Sequence, residues 1–440
     1  MGSARPLRLV MSVRILAVFG LSLWLWAPAT ANALRTVDTA ADYYGFAVGY
    51  HDIDDLPQAI TNYTKAIQLD PRFAKAYQGR GVARAQSGDV AGALTDLTKA
   101  IELDPSLTKA YLNRGLAWLD QGQPDQAIAD LTNAITQDPK EPSGYVARGD
   151  AYRRAHDQTS AIADYTRALE RDPYLGEAYA GRGLARLAQD DLDGATADFS
   201  EQLRLHTRPA AAHRALGAIA ERRGAVEEAL EHCTQAITLD PTAANGYRQR
   251  AGVRTKRGDV TGALEDDTLA LALAPDVDTS LHRASLEERN DDPARAVADY
   301  AAALALQHGT ADDTTRVIYE RLAALHLAQH HREAALADYS QVVKLHPDAV
   351  DAWFARGLIR LQQDDVDGAI ADFSESIALD PDHAAAFQHR AAARERHGDL
   401  SGAIADLQRA VDLAEPAVRD QLQPVLAALQ ARQPQRVNPH

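Results

Sequence analysis

Apolar and small residues recur with a period of 34 along almost the whole chain, and the segment Ala76 to Pro105 shows the unit most clearly: AYQGRGVARAQSGDVAGALTDLTKAIELDP. A period of this length marks a helical solenoid, because one unit is too small to bury its own apolar face and must stack on its neighbours. The pattern therefore predicts one continuous extended array with a long accessible surface, not a body built round a single pocket.

The punctuation within the period predicts its elements. Asp-Pro recurs at Asp70-Pro71, Asp104-Pro105, Asp138-Pro139, Asp172-Pro173, Asp240-Pro241 and Asp380-Pro381, with weaker copies at Ala274-Pro275, His346-Pro347 and Glu415-Pro416. Proline lacks the donor that a helix interior needs and pushes the preceding residue out of helical dihedrals, so each pair ends one helix and leads to the next. Between the prolines, Gly88-Asp89, Gly258-Asp259 and Gly398-Asp399 set a left-handed C-cap beside an N-cap carboxylate. Each unit reads as helix, turn, helix.

These residues resemble the tetratricopeptide repeat (TPR), whose pattern has a large residue at position 4, a small one at 8, a large one at 11, Ala at 20, an aromatic or aliphatic at 24, Ala at 27 and Pro at 32. Tyr111, Gly115, Trp118, Ala127, Leu131, Ala134 and Pro139 meet all seven in one copy, and Tyr145, Gly149, Tyr152, Ala161, Tyr165, Ala168 and Pro173 do so in the next. Eleven copies begin near Ala40, Ala74, Thr108, Pro142, Gly176, Ala210, Ala244, Val277, Arg316, Val350 and Ala384, with about five extra residues, Ala311 to Thr315, before the ninth. The resemblance covers residues 38–417 and implies an all-α fold, a right-handed α-α superhelix. Gly81 and Ala93, or Gly357 and Ala369, fall where paired helices cross, and bulk there would push the helices apart.

The flanks differ in kind. Val418, Leu422, Val425, Leu426 and Leu429 share one helical face, as expected of a capping helix over residues 418–432, with a kink expected at Pro424 and a disordered polar tail at 433–440. At the other end Arg5, Arg8 and Arg14 precede an apolar run from Ile15 to Ala27, and Ala29-Thr30-Ala31 or Ala31-Asn32-Ala33 offers a cleavage site; residues 1–33 read as a signal peptide, with Met11 an equal candidate for the start. That run is shorter than the roughly 20 residues that cross a bilayer. The mature chain is thus expected to be exported, periplasmic or secreted, with no stable membrane insertion after cleavage.

Charge and cysteine content narrow the partners. The formal charge of −16 becomes −19 once the three leader arginines are removed, since no acid leaves with them, which argues against nucleic acid and anionic membrane surfaces. The single cysteine rules out an internal disulfide and a cysteine zinc cluster; Cys233 sits at packing position 24 and reads as a small buried hydrophobe.

Eight copies carry Arg at position 7 and Asp sixteen residues later: Arg80 and Asp96, Arg114 and Asp130, Arg148 and Asp164, Arg182 and Asp198, Arg250 and Asp266, Arg283 and Asp299, Arg356 and Asp372, Arg390 and Asp406. The first and sixth copies lose both members together, with Phe46 and Asn62 in one and Leu216 and His232 in the other; the ninth has Asp338 opposite Leu322. Joint loss suggests contact, so a bidentate guanidinium–carboxylate pair inside each unit is expected, against the competing reading of an arginine ladder for phosphate or acidic ligands.

The resemblance also implies where a ligand would sit, since in the family positions 2, 5, 9, 12 and 13 of the first helices point into a concave groove. Here they supply Leu112, Leu116 and Leu119, then Leu184 and Leu187, then Phe354, Leu358 and Leu361 as apolar candidates. Arg153, Arg154, Arg214, Arg222, Arg248 and Lys256, diluted by Glu177 and Glu221, form a basic candidate for an acidic or extended partner segment. The family's carboxylate clamp is not carried over, because Asn113 has no matching set at Gln78, Val82, Ser143 and Ala147.

Catalytic signatures are missing: there is no Gly-rich phosphate loop, no GxSxG and no HExxH. His326, His330, His331 and Glu333 could be imagined around a metal, and Asp190 to Gly194 and Asp364 to Gly368 faintly resemble calcium loops, but packing and helix capping account for both, and no cofactor is expected. The expected function is a non-catalytic scaffold binding protein or peptide partners in its groove, in envelope assembly or a multiprotein complex. The alternative is a module for an anionic polysaccharide or cell-wall fragment, which steep salt dependence would distinguish.

Overall fold

Within each copy the turn residue at position 15 takes a left-handed backbone. It is glycine at Gly88, Gly122, Gly224, Gly258 and Gly398, and a non-glycine at Asp54, His156, Asp190, Asp291, His330 and Asp364. One residue later an aspartate side chain often caps the second helix, as Asp89 does by accepting from the Gly92 backbone N–H, 2.9 Å away. Capping is also what the two calcium-like strings do: Asp191 and Asp365 accept from the N–H groups of Gly194 and Gly368.

The computed structural model describes residues 39–307 and 312–432, so the leader in 1–33 and the tail in 433–440 lie outside the described residues. The chain divides between Pro139 and Lys140 into two compact units. In the first unit the helix pairs are α1 (Ala40–Asp52) with α2 (Leu56–Leu69), α3 (Ala74–Gln86) with α4 (Val90–Leu103), and α5 (Thr108–Asp120) with α6 (Pro124–Gln137).

The second unit continues with α7 (Pro142–Arg154), α8 (Gln158–Arg171), α9 (Gly176–Ala188), α10 (Leu192–Arg204), α11 (Pro209–Arg222) and α12 (Val226–Leu239). Next come α13 (Ala244–Arg257), α14 (Val260–Leu273), α15 (Val277–Arg289), α16 (Pro293–Gln307), α17 (Asp313–Ala328) and α18 (Arg332–Leu345). It closes with α19 (Val350–Gln362), α20 (Val366–Leu379), α21 (Ala384–His397), α22 (Leu400–Leu413) and a terminal α23 (Pro416–Ala431). There is no strand among the described residues. The fold is an all-α solenoid of stacked helix pairs.

Two local expectations change. The ninth copy's first helix begins at Asp313, three residues early, because Asp312 caps it by accepting from the Thr315 N–H at 2.8 Å; Asp313 to Thr315 are helix and not inserted loop. α23 contains Pro424 and buries Leu422, Leu426 and Leu429 against Leu407 and Val411. Val418 and Val425 stay exposed, so the capping face is narrower than the five residues suggested.

The small residues at position 8 make room for the large side chain at position 24. A Cβ on Gly81 would lie 2.8 Å from Leu97 Cγ, and one on Gly357 would lie 2.7 Å from the Phe373 ring. Position 6 does the same for the copy before it: a Cβ on Gly79 would meet the Tyr63 ring at 2.5 Å, and one on Gly181 the Tyr165 ring at 2.4 Å. Tyr165, which fills the space left by both Gly149 and Gly181, thus sits between its own first helix and the next one.

Candidate functional site

All eight arginine and aspartate pairs lie in direct contact. Arg80 Nε and Nη2 donate to the two carboxylate oxygens of Asp96 at 2.8 and 2.7 Å, and Arg114 does the same to Asp130 at 2.7 and 2.7 Å. The fork repeats from Arg148 to Asp164, Arg182 to Asp198, Arg250 to Asp266, Arg283 to Asp299, Arg356 to Asp372 and Arg390 to Asp406. The aspartates are buried and the arginines nearly so, an environment in which a bidentate ion pair gains from low local dielectric and satisfies both partners. Hydrogen bonding to the aspartate holds the guanidinium of Arg114, Arg148, Arg250 and Arg283 above its ordinary value.

The third guanidinium nitrogen reaches back one copy. Arg80 Nη1 donates to Thr64 Oγ1 and Arg114 Nη1 to Thr98 Oγ1, each at 3.1 Å, and Arg182, Arg250, Arg283, Arg356 and Arg390 reach Thr166, Thr234, Thr268, Ser340 and Ser374 in the same way. One arginine thereby ties three helices from two adjacent copies. An aromatic ring at position 4 lies against it, as Tyr77 does with Arg80 and Trp353 with Arg356, 4.7 Å from centroid to guanidinium carbon in the latter.

A second arginine, at position 11, escaped the sequence reading. Arg84, Arg186, Arg254, Arg360 and Arg394 each place Nη1 2.7 to 2.9 Å from the same aspartate. Each also donates to the backbone carbonyl of a glycine at position 19, Gly92, Gly194, Gly262, Gly368 or Gly402. Those five copies are the ones with glycine at position 19, and at Gly402 a Cβ would come within 3.0 Å of Arg394 Cδ. The co-occurrence of Arg at 11 and Gly at 19 was the available signal. In the ninth copy His326 takes over: its Nδ1 lies 2.6 Å from Asp338, the aspartate that position-11 arginines meet in other copies. The sixth copy replaces the ion pair with two histidines, His213 and His232, whose Nδ1 atoms are 3.0 Å apart.

The basic candidates are mostly engaged. Arg248 lies 2.6 Å from Asp276 and donates to Thr279, Asn245 and the Ala274 carbonyl. Lys256 pairs with Glu221 at 2.6 Å, Arg222 donates to the Leu187 carbonyl at 3.0 Å, and Arg153 lies 3.3 Å from Asp150. Arg154 is exposed at the end of α7, and the half-buried Arg214 guanidinium has no hydrogen-bond or ion-pair partner among the described residues. Arg222 and Lys256 reach the preceding copy and Arg248 the following one, so these three tie copies together, whereas Arg153 pairs within its own helix.

The apolar candidates divide. Leu116 and Leu184 are exposed, Leu112 and Leu187 are half-buried, and Leu119 is buried and lines no open face. Phe354, Leu358 and Leu361 are partly buried and pack on the cluster around Phe373. Cys233 is fully buried beside Ala220, Ala229 and Val253, and burial pushes its thiol up to about 11.

A family model described as tetratricopeptide repeat matches residues 112–176, 180–244, 321–384 and 360–418, and a second, described as TPR repeat, matches 50–88 and 83–122. No curated protein matches the chain. Among solved structures, MamA is similar at 24% identity over 37% of this chain and 96% of its own, with a TM-score of 0.35. PilW, a type IV pilus biogenesis factor, is similar at 19% identity over 48% of this chain and 96% of its own, with a TM-score of 0.43. Yeast Tom70 is similar at 16% identity over 91% of this chain and 97% of its own, with a TM-score of 0.36.

Proposed function

This chain belongs to the tetratricopeptide repeat family, and from that premise we propose that it is an exported, non-catalytic scaffold that holds a protein or peptide partner against the exposed positions of its first helices. The observation that carries this reading is the division of labour among side chains. The repeated arginines and aspartates are consumed in the stack, while Leu116 of α5 and Leu184 of α9 remain exposed at the positions the family uses for ligands. An exposed leucine on a rigid helix suits an apolar anchor of an extended or helical segment. The arginine-rich leader, apolar run and small-residue cleavage site support export, and the periplasm or exterior is the proposed location.

The reading as a polysaccharide module rested on a free basic cluster. With Arg153, Arg222, Arg248 and Lys256 bonded within the protein, it has no specific support. The test is affinity capture from the envelope extract of the source cells with the mature chain, beside a Leu116→Asp and Leu184→Asp variant whose circular dichroism matches it. Specific proteins held by the parent and released by the variant are expected. Equal capture by both would overturn the apolar-face reading.

A further inference from the structure

The seventh copy breaks the packing rule at position 24. The other ten copies place Tyr63, Leu97, Leu131, Tyr165, Phe199, Cys233, Tyr300, Tyr339, Phe373 or Leu407 there, and this one places Asp267. Its carboxylate is in the core: the side chain is 1% exposed, and Oδ2 lies 2.6 Å from Nδ1 of His282, at position 6 of the next copy. Position 6 is where Gly79 and Gly181 make room for the preceding copy's tyrosine, so the carboxylate and imidazole occupy the same inter-copy joint that packing fills elsewhere. His282 Nε2 in turn lies 3.1 Å from Thr255 Oγ1, and that hydroxyl also lies 2.9 Å from the Ala251 carbonyl.

Counting charge separates two states of this triad. The Thr255 hydroxyl lies within reach of both the Ala251 carbonyl and Nε2 and can donate to either, so the outer ring nitrogen is satisfied in both states. A neutral imidazole beside an ionised Asp267 leaves a net negative charge in the core, and one extra proton shared by the pair cancels it. Losing that proton leaves an unneutralised buried carboxylate, which costs free energy.

We propose that Asp267, His282 and Thr255 form a proton-controlled latch between the seventh and eighth copies, closed when it holds the extra proton and loosened when that proton is lost. The groups facing it are known from each helix packed there. α13 supplies Thr255; α14 supplies Asp266, itself neutralised by Arg250 and Arg254; α15 supplies Arg283, which is paired with Asp299 of α16. Burial raises the Asp267 carboxyl above its ordinary value, partly offset by His282 and Arg283. A group raised in the folded state contributes stability that is complete below its unfolded value and is lost as pH rises through the folded one, so the latch weakens as pH rises above the ordinary carboxylate range. Thr255 and the partly exposed His282 lie at first-helix positions, where a change in packing between copies reaches the ligand-facing side.

The test is amide hydrogen exchange on the full chain at pH 5.5 and pH 8, expressed as protection factors for α14 and α15. Protection there should fall at pH 8 by up to about tenfold per pH unit, the limit for one linked proton, relative to α19 and α20, which are joined by Arg356 and Asp372. Asp267→Leu, which restores the residue used in three other copies, should abolish the difference, and His282→Gln should reduce it while keeping hydrogen-bonding capacity. The His326–Asp338 contact lies in α17 and α18 and is read separately. If the parent shows no excess loss in α14 and α15, or if both variants retain it, the latch is refuted. Should Asp267→Leu fail to fold, His282→Gln alone decides.

Discussion

Arg356 and Asp372 make the most deeply buried of the repeated ion pairs, with Nε to Oδ2 at 2.9 Å and Nη2 to Oδ1 at 2.6 Å. Arg360 reaches the same carboxylate at 2.9 Å, so Asp372 serves two guanidinium groups at once. Removing one partner of such a pair leaves uncompensated charge in the core, whereas replacing both with apolar groups can be nearly neutral. Asp372→Ala should therefore destabilise the tenth copy by about 3–5 kcal/mol, and Arg356→Met with Asp372→Leu should cost less than the sum of the single changes. Exchange protection in α19 and α20 is the appropriate measurement, because a stacked array opens locally.

The turn at position 15 gives a second prediction. Asp364 holds a left-handed backbone at φ 65°, while glycine fills the equivalent site at Gly398 with φ 91°. An L side chain in this region is strained by roughly 1–2 kcal/mol, less for Asp and Asn. Asp364→Gly should raise the melting temperature, Gly398→Ala should lower it, and differential scanning calorimetry reads both. A drop for Asp364→Gly would mean that its side chain contributes more than the strain it carries.

The crossing point at position 8 supplies a third. A Cβ on Gly357 would lie 2.7 Å from the Phe373 ring, which is fully buried and has little room to retreat. Gly357→Ala should cost about 1–3 kcal/mol from overpacking, despite alanine's better helix propensity. Pairing it with Phe373→Leu, which gives the combination already present at Ala391 and Leu407, should recover part of the loss in the same denaturation experiment.

The helix pairs were legible because proline, glycine and aspartate act locally: each sets a dihedral or a cap without help from distant residues. The ion pairs were legible for another reason, since loss of both partners in the first and sixth copies is visible within one chain. The second arginine was not, because position 11 is a packing position and an arginine's methylene stem fills it while its head turns to the aspartate. Nor could spacing show that Arg248 meets Asp276, Lys256 meets Glu221 or that Leu119 turns inward, since each depends on how successive copies are rotated. Asp267 stood in the sequence as a carboxylate at a core position; what it faces became clear only once His282 was placed beside it.

Cys233 provides a probe that needs no engineered label. It is fully buried, and with its thiol pushed up to about 11 the reactive thiolate is scarce: at pH 8 roughly one molecule in a thousand carries it. Burial is the first cause, reinforced by the carboxylates of Glu221 and Asp266 and opposed by Arg250. Reaction with a disulfide reagent at pH 8 should therefore be slow in the folded chain and fast in denaturant, and its rate should track opening of the cluster formed with Ala229 and Val253. Leu216→Ala, in the helix that pairs with the one carrying Cys233, should speed the reaction by loosening that copy, whereas Leu97→Ala in the other compact unit should leave it unchanged. Rapid labelling of the unperturbed protein would show that α12 opens readily and that the sixth copy, without an Arg–Asp pair, is a weak point in the stack.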